Sequence, residues 1–147
     1  MKKIAIAGLL TLMIAAPHAN AADRRIELPL QDLLASPEAK TAGLDGSVRF
    51  YLAGQKTPAV ASRMGEGVSN KKTNGVGKSD EEACRWVMLS VLKAFQDSAK
   101  AKGANAVVDM VSYFKKNEFR SATSYECHAG NIMSGIAMKG TYATVGK

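Results

Sequence analysis

The chain has 147 residues, a formal net charge of +7 and two cysteines. This length suits one domain with a modest hydrophobic core and leaves too little chain for two. After the first 21 residues no apolar stretch approaches the length that spans a bilayer, so no transmembrane segment is predicted in the remainder.

The first residues have the pattern of a secretory signal peptide. Two lysines precede a mostly apolar run at 4–16, and Ala-Asn-Ala at 19–21 matches a signal-peptidase site. We therefore predict a signal peptide at 1–21, cleavage after Ala21 and a periplasmic location. No cysteine stands at the cleavage site, so lipid attachment is not predicted.

Export changes the meaning of the positive charge. Loss of Lys2 and Lys3 lowers the formal charge from +7 to +5. For an exported chain the expected partners are envelope proteins or an anionic envelope surface, and no nucleic acid is expected. The alternative is a solvated basic surface that binds nothing.

Residues 22–46 are predicted to be a lead-in segment before a single domain at 47–147. Residues 25–30 fit an edge strand or an extended arm, because Pro29 cannot donate to a central strand ladder. A short helix is expected at 30–35, and a proline and two glycines indicate loops up to residue 46.

Two strands are predicted next, at 48–52 and 59–68, paired as a hairpin. The polar, glycine-rich stretch Ser69–Lys78 is predicted to be a flexible loop. Alternation predicts that six side chains face the core. These are Val48, Phe50, Leu52, Val60, Met64 and Val68.

A long amphipathic helix is predicted between Ser79 and Gly103. Ser79 and Glu82 form a capping-box pattern, acidic residues follow the cap, and lysines precede a terminating glycine. Apolar residues recur at spacings of three and four, which indicates one buried face. They are Cys84, Met88, Val91, Leu92, Phe95 and Ala99.

Three further strands are expected after the helix. Residues 106–114 alternate with apolar side chains on both sides, and a charged turn at 115–120 leads to a strand that carries Tyr125 and Cys127. A final strand is predicted at 132–145. The predicted fold class is α+β: one long helix on a mostly antiparallel sheet of about five strands, in a two-layer sandwich.

Cys84 and Cys127 form the one possible cysteine pair. In an oxidising compartment such a pair favours a disulfide over a metal site. Metal binding would need His128 as a third ligand, and adjacent strand residues point to opposite faces, so Cys127 and His128 should diverge. We predict a disulfide and no cofactor, and retain Cys84, Cys127 and His128 as the weaker metal candidates.

The chain resembles the fold family shared by RcsF, an outer-membrane stress sensor, and the YbjQ-like proteins, a family named for heavy-metal binding. The resemblance covers about 48–145 and rests on the acidic helix start with its cysteine at 80–84, on GANAVV at 103–108 and on a small-residue strand after Cys127. It implies that Cys84 and Cys127 correspond to a disulfide that ties the helix to the sheet. One cysteine pair and no lipidation cysteine separate this chain from RcsF.

The motif Gly75-Val76-Gly77-Lys78-Ser79 resembles part of a phosphate-binding loop. Such a loop needs a glycine five residues before the second glycine, where this chain has Lys72, and the preceding residues do not have the pattern of a buried strand. No nucleotide site is predicted, and an ATPase or excinuclease-type function is not supported.

Catalytic patterns are weak. The chain has no C-x-x-C and no G-x-S-x-G. Asp109 is expected to be half-buried without an evident partner, and Trp86 is expected to contact the core. We therefore expect a non-enzymatic envelope interaction or sensing module. The alternative is a periplasmic protein that binds a metal or a small ligand.

Overall fold

The computed structural model describes residues 23–147. The predicted signal peptide, its cleavage after Ala21 and the location that depends on them lie outside these residues. The strands are β1 (Arg24–Pro29), β2 (Arg49–Leu52), β3 (Val60–Asn74), β4 (Ala106–Ser112), β5 (Ser124–Ala129) and β6 (Met133–Val145). The helices are α1 (Leu30–Leu34), α2 (Pro37–Thr41) and α3 (Asp80–Lys102), and a 3-10 turn spans Phe114–Lys116. Within the described part of the chain, no helix has the length and hydropathy to cross a bilayer.

The six strands form one mixed sheet in the order β1-β5-β6-β4-β2, with β3 along the other edge of β6. The prediction of an α+β fold with one long helix is confirmed, but the sheet curls into a half-barrel and is not the flat layer of a sandwich. Register shifts in β3 and β4 explain the curl, because an extra residue bends a strand and increases its twist. Gly140 permits the close approach of β4, since a Cβ there would lie 2.7 Å from Val107 Cγ1.

The predicted hairpin between the first two core strands is wrong. β2 pairs in parallel with β4, with Phe50 opposite Val107, whereas β3 pairs antiparallel with β6. Alternation within a strand identifies its buried face but carries no information about its partner. The parallel pair is possible because α3 lies in the long connection between β2 and β4.

β3 also extends through most of the predicted flexible loop Ser69–Lys78. Residues up to Asn74 pair with β6, so the connection to α3 shortens to residues 75–78. The prediction of Val68 as a core residue is wrong as well, because its side chain is 57% exposed. A register shift between Arg63 and Glu66 interrupts the alternation that the prediction assumed.

The prediction of α3 is confirmed at both ends. Ser79 is the N-cap and its hydroxyl accepts a hydrogen bond from the Glu82 N–H at 3.1 Å, while Gly103 ends the helix with φ at 74°. The whole predicted apolar stripe is buried against the sheet. Its members are Cys84, Met88, Val91, Leu92, Phe95 and Ala99.

The lead-in segment packs into the same core. β1 is an edge strand, the first of the two predicted alternatives, and it pairs with β5; Leu30 and Leu33 of α1 are fully buried. The predicted loop at Pro37 is instead the start of α2, where proline suits the first helical position because no N–H is needed there. Gln96 of α3 is buried and donates to the carbonyl of Gly43, so the segment is fixed along the helix.

Candidate functional site

A disulfide joins Cys84 in the first turns of α3 to Cys127 in β5. The two Cα atoms are 5.9 Å apart and neither residue is exposed to solvent. Cys84 belongs to the apolar stripe of α3, and Cys127 lies on the side of β5 that faces this stripe. The bond therefore ties the helix layer to the sheet at the centre of the core.

The alternation of β5 places Glu126 and His128 on the opposite side from Cys127. The three weak metal candidates therefore do not come together: the sulfur atoms of Cys84 and Cys127 are bonded to each other, and His128 lies across the sheet. Among residues 23–147 no three or more histidine, cysteine, aspartate or glutamate side chains are grouped to hold a metal ion.

Glu126 is the centre of a charged cluster on this opposite face. It is only 8% exposed, yet Arg25 Nε lies 2.5 Å from its Oε2 and His128 Nε2 lies 2.7 Å from its Oε1. The pairing of β1 with β5 aligns Arg25 with His128 and so delivers the guanidinium to the site. A buried carboxylate is stable in this position because both of its oxygens meet donors.

The second nitrogen of His128 contacts another carboxylate. Asp23 Oδ1 lies 3.1 Å from His128 Nδ1, and Glu126 Oε1 contacts Nε2. An ionised carboxylate only accepts, and a neutral imidazole has one N–H, so both contacts are hydrogen bonds only when the ring carries two protons. We call Asp23, Arg25, Glu126 and His128 the Glu126 cluster. The cluster combines a guanidinium and an imidazole with two carboxylates.

Two aromatic rings pack on the cluster. Phe114 stacks on His128 with 3.7 Å between ring centroids and 10° between planes. The guanidinium of Arg25 lies 4.6 Å from the centroid of Phe119, a cation–π contact. These contacts fix the orientation of the ionised groups, so a ligand would meet a preorganised surface.

Open grooves lie on both sides of the stacked rings. The charged groove, of about 350 Å³, is lined by the Glu126 cluster with Phe119 and Lys115. The apolar groove, of about 360 Å³, is lined mainly by Phe114, His128, Met133 and Lys72, and Asp23 lines both grooves. Both volumes are at the small end of the range for ligand pockets. The arrangement offers aromatic faces beside fixed charges, which is chemistry for binding.

Sequence reasoning identified His128 but not Glu126, Arg25 or Phe114. The available signal was the alternation in Tyr125-Glu126-Cys127-His128, which places the glutamate and the histidine on one face, away from the cysteine. The contribution of Arg25 depends on the pairing of β1 with β5, and about a hundred residues of chain separate these two strands.

Two other predicted positions have different surroundings in the structure. Asp109 is 53% exposed and forms an ion pair of 2.7 Å with Arg63, so the prediction of a half-buried, unpartnered carboxylate is wrong. It lies at the register shift of β4 with φ at 53°, a conformation that aspartate tolerates better than most residues. Trp86, predicted to contact the core, is 38% exposed.

The motif at residues 75–79 forms a tight connection between β3 and α3. The Gly75 N–H donates to the carbonyl of Ile132 at 2.7 Å, and the Val76 N–H donates to Asn74 Oδ1 at 2.8 Å. The ammonium group of Lys78 donates to the Asn74 carbonyl at 3.0 Å. These groups bind the protein's own turns and do not form the open ring of N–H donors that holds a phosphate.

Comparisons with protein-family models, with curated proteins and with solved structures found no match to this chain.

Proposed function

We propose that this protein is an exported periplasmic member of the RcsF-like and YbjQ-like fold family, and that it works by binding a partner in the envelope and not by catalysis. The face of the sheet that carries the Glu126 cluster is its binding surface. The Cys84–Cys127 disulfide supports the proposal of export, because such bonds persist in oxidising compartments.

The observation that carries the proposal is the environment of Glu126. Burying a carboxylate is unfavourable, and this one is compensated by Arg25 from another strand and by the His128 ring. Two aromatic rings then hold these donors in place beside open grooves. A polar network of this kind restricts its side chains to one geometry, which lowers the entropy lost when a partner binds.

The disulfide and the binding surface share one strand. Cys127 faces the helix, and its two neighbours, Glu126 and His128, form the surface. Reduction of the disulfide would free β5 from α3 and weaken the support of both neighbours. Because both cysteines are buried, the bond acts as a fixed structural support for the binding surface.

Site-specific photo-crosslinking in cells tests the proposal. A photoreactive amino acid is placed at Lys115 or Asn117, exposed positions that line the charged groove, and as a control at Ser90 or Asp97 on the exposed side of α3. The proposal predicts a discrete adduct with an envelope protein at the first two positions, which is lost when Glu126→Gln is added. Equal adducts from the α3 positions would contradict it.

The second candidate function, binding of a small ligand, is favoured by the two grooves beside the stacked rings. An aromatic and a charged wall suit a small molecule that carries both a planar part and an ionised group. Native mass spectrometry of protein purified from the periplasm would detect such a ligand. Metal analysis of the same sample tests the metal version, which requires a stoichiometric metal that is lost on Cys84→Ser.

A further inference from the structure

One end of the molecule exposes large apolar side chains. Here the connection at residues 75–78 meets the turn at 130–132, and the Gly75 N–H donates to the carbonyl of Ile132 at 2.7 Å. We call this end the tip. The described part of the chain exposes five large hydrophobic side chains, and three belong to the tip: Val76 at 64%, Ile132 at 66% and Met133 at 47%.

Lysines surround these apolar side chains. Lys78 donates to the carbonyl of Asn74, the residue paired with Met133, and Lys72 lines the apolar groove beside Met133. The ammonium group of Lys115 lies 5.5 Å from the centroid of Phe114, another residue of that groove. The tip therefore has Lys78 within it and Lys72 beside it, while Lys115 lies at Phe114 in the adjoining apolar groove.

Acidic residues near the tip are Asp23, which lines the apolar groove with Met133 and contacts His128, and those on the first turn of α3. Asp80 is neutralised by Arg24, whose Nε lies 2.6 Å from its Oδ2. Glu81 and Glu82 line a different groove, on the helix layer, together with Arg85. They stabilise the positive end of the helix dipole and lie outside the apolar groove that Met133 lines.

The chain also enters the domain at the tip. Arg24, the first residue of β1, donates from Nη1 to Asn131 Oδ1 at 3.0 Å. Only residues 17–23 separate β1 from the apolar part of the predicted signal peptide at 4–16, and seven extended residues reach at most about 25 Å. Before cleavage after Ala21, this linker would keep the tip of a folded domain within about 25 Å of the membrane surface, and cleavage would end the attachment.

We propose that the tip docks on an anionic phospholipid bilayer, with Val76, Ile132 and Met133 entering the interface and the surrounding lysines contacting lipid phosphates. This deepens the proposed function and rests on its envelope location, because it names the surface to which the module binds. Burial of the apolar side chains and attraction of the lysines to anionic lipid both contribute to the affinity. Binding is therefore reversible, and salt weakens it by screening the lysines.

Co-sedimentation of the protein, purified from the periplasm, with vesicles tests the proposal. Binding is expected to mixed phosphatidylglycerol and phosphatidylcholine vesicles and to be much weaker with phosphatidylcholine alone or at high salt. The triple variant Val76→Ser, Ile132→Ser, Met133→Ser should bind these vesicles at least about tenfold more weakly than the wild type. The double variant Lys72→Gln, Lys78→Gln should also bind these vesicles more weakly than the wild type.

Two matched controls come from the opposite end of the sheet and from the middle of β3. Lys56→Gln removes an exposed lysine in the connection that leads to the start of β3, and Val68→Ser removes an exposed valine away from the tip. Both should bind vesicles like the wild type. Unfolding curves verify that the tip variants are folded, which is expected because their side chains are exposed.

Two results would overturn membrane docking. In the first, the wild-type protein does not bind anionic vesicles; in the second, the triple variant binds them as well as the wild type does. If the tip binds a partner protein and not lipid, the wild-type protein will not bind anionic vesicles. The outcome is separable from the proposed function, because vesicles contain no partner protein and the crosslinks at Lys115 and Asn117 are measured in cells.

Discussion

Glu126 is a buried carboxylate whose two oxygens each contact a different side chain. Arg25 contacts one oxygen and His128 the other, and the Glu126 N–H donates to the buried hydroxyl of Ser112 at 2.9 Å. At the residue scale, the buried charge of Glu126 is therefore stable only while the partners of its oxygens remain in place.

Replacing Glu126 by glutamine should lower the free energy of unfolding by about 1–3 kcal/mol, because an amide has one accepting oxygen and turns its NH₂ donor toward Arg25 or His128. Chemical denaturation measures the change. Glu27→Gln is the matched control, since Glu27 is exposed and contacts the same Arg25 at 3.1 Å. Equal losses for the two variants would show that Glu126 makes no special contribution.

Asp45 provides a prediction about pH. Hydrogen bonds from the ammonium group of Lys100, and then from Ser47, hold the pKa of Asp45 well below its usual range. In the unfolded chain the pKa of an aspartate carboxyl is about 3.9. Because the folded value is lower, the carboxylate stabilises the fold above that pH, and the contribution is lost as the pH falls toward the folded value.

Asp45→Asn should therefore lower the melting temperature at neutral pH, and the difference from wild type should shrink as the pH falls below about 4. Thermal unfolding across this pH range measures the difference. Since the pair is exposed, salt should also reduce the effect. A difference that stays constant with pH would show that the ion pair does not contribute.

At the scale of elements, α3 could be predicted because all of its signals are local. The Ser79 cap, the acidic first turn, the apolar stripe and Gly103 lie within one stretch of sequence, and the structure agrees with each. The end of β3 could not be predicted in the same way. Its polar residues become a strand only because β6, distant in sequence, pairs with them.

The candidate site shows the same division. The separation of Cys127 and His128 across the sheet follows from strand alternation and was predicted. The partners of His128 were not, since Arg25 and Phe114 reach it from other elements. The half-barrel was missed because register shifts, such as that at Asp109, leave no clear composition signal.

Gln96 joins two elements, and its loss should destabilise the fold. Its Nε2 donates to the Gly43 carbonyl and its Oε1 accepts from the Asp45 N–H, both at 3.0 Å. Gln96→Leu fills the space but leaves a carbonyl and an N–H without partners, so the free energy of unfolding should fall by about 1–3 kcal/mol. Ser90→Ala, at an exposed position of the same helix, is the control. A variant as stable as the control would contradict this role.

At the scale of the whole molecule, the disulfide fixes the long helix against the curled sheet. Cys84 and Cys127 are 43 residues apart in sequence, and closing a loop of that size stabilises the folded state by about 4 kcal/mol in the chain-entropy treatment. The bond is also central to the proposal of an exported binding module, because it supports the strand that carries Glu126 and His128.

Cys127→Ser should therefore lower the melting temperature in the absence of reductant, while the mutant and the wild type should unfold at similar temperatures when reductant is present. Differential scanning calorimetry under both conditions measures the effect. Cys84→Ser should behave in the same way, because either change removes the same bond. A mutant that matches the wild type without reductant would contradict a stabilising bond.

The most direct test of the account is the oxidation state of the two cysteines in the cell. Protein from the periplasmic fraction is unfolded without reductant, treated with an alkylating reagent and analysed by peptide mass spectrometry. The account predicts that the protein is found in this fraction and that one peptide pair links Cys84 to Cys127, with neither residue alkylated. Recovery in the cytoplasm with both thiols alkylated would contradict it.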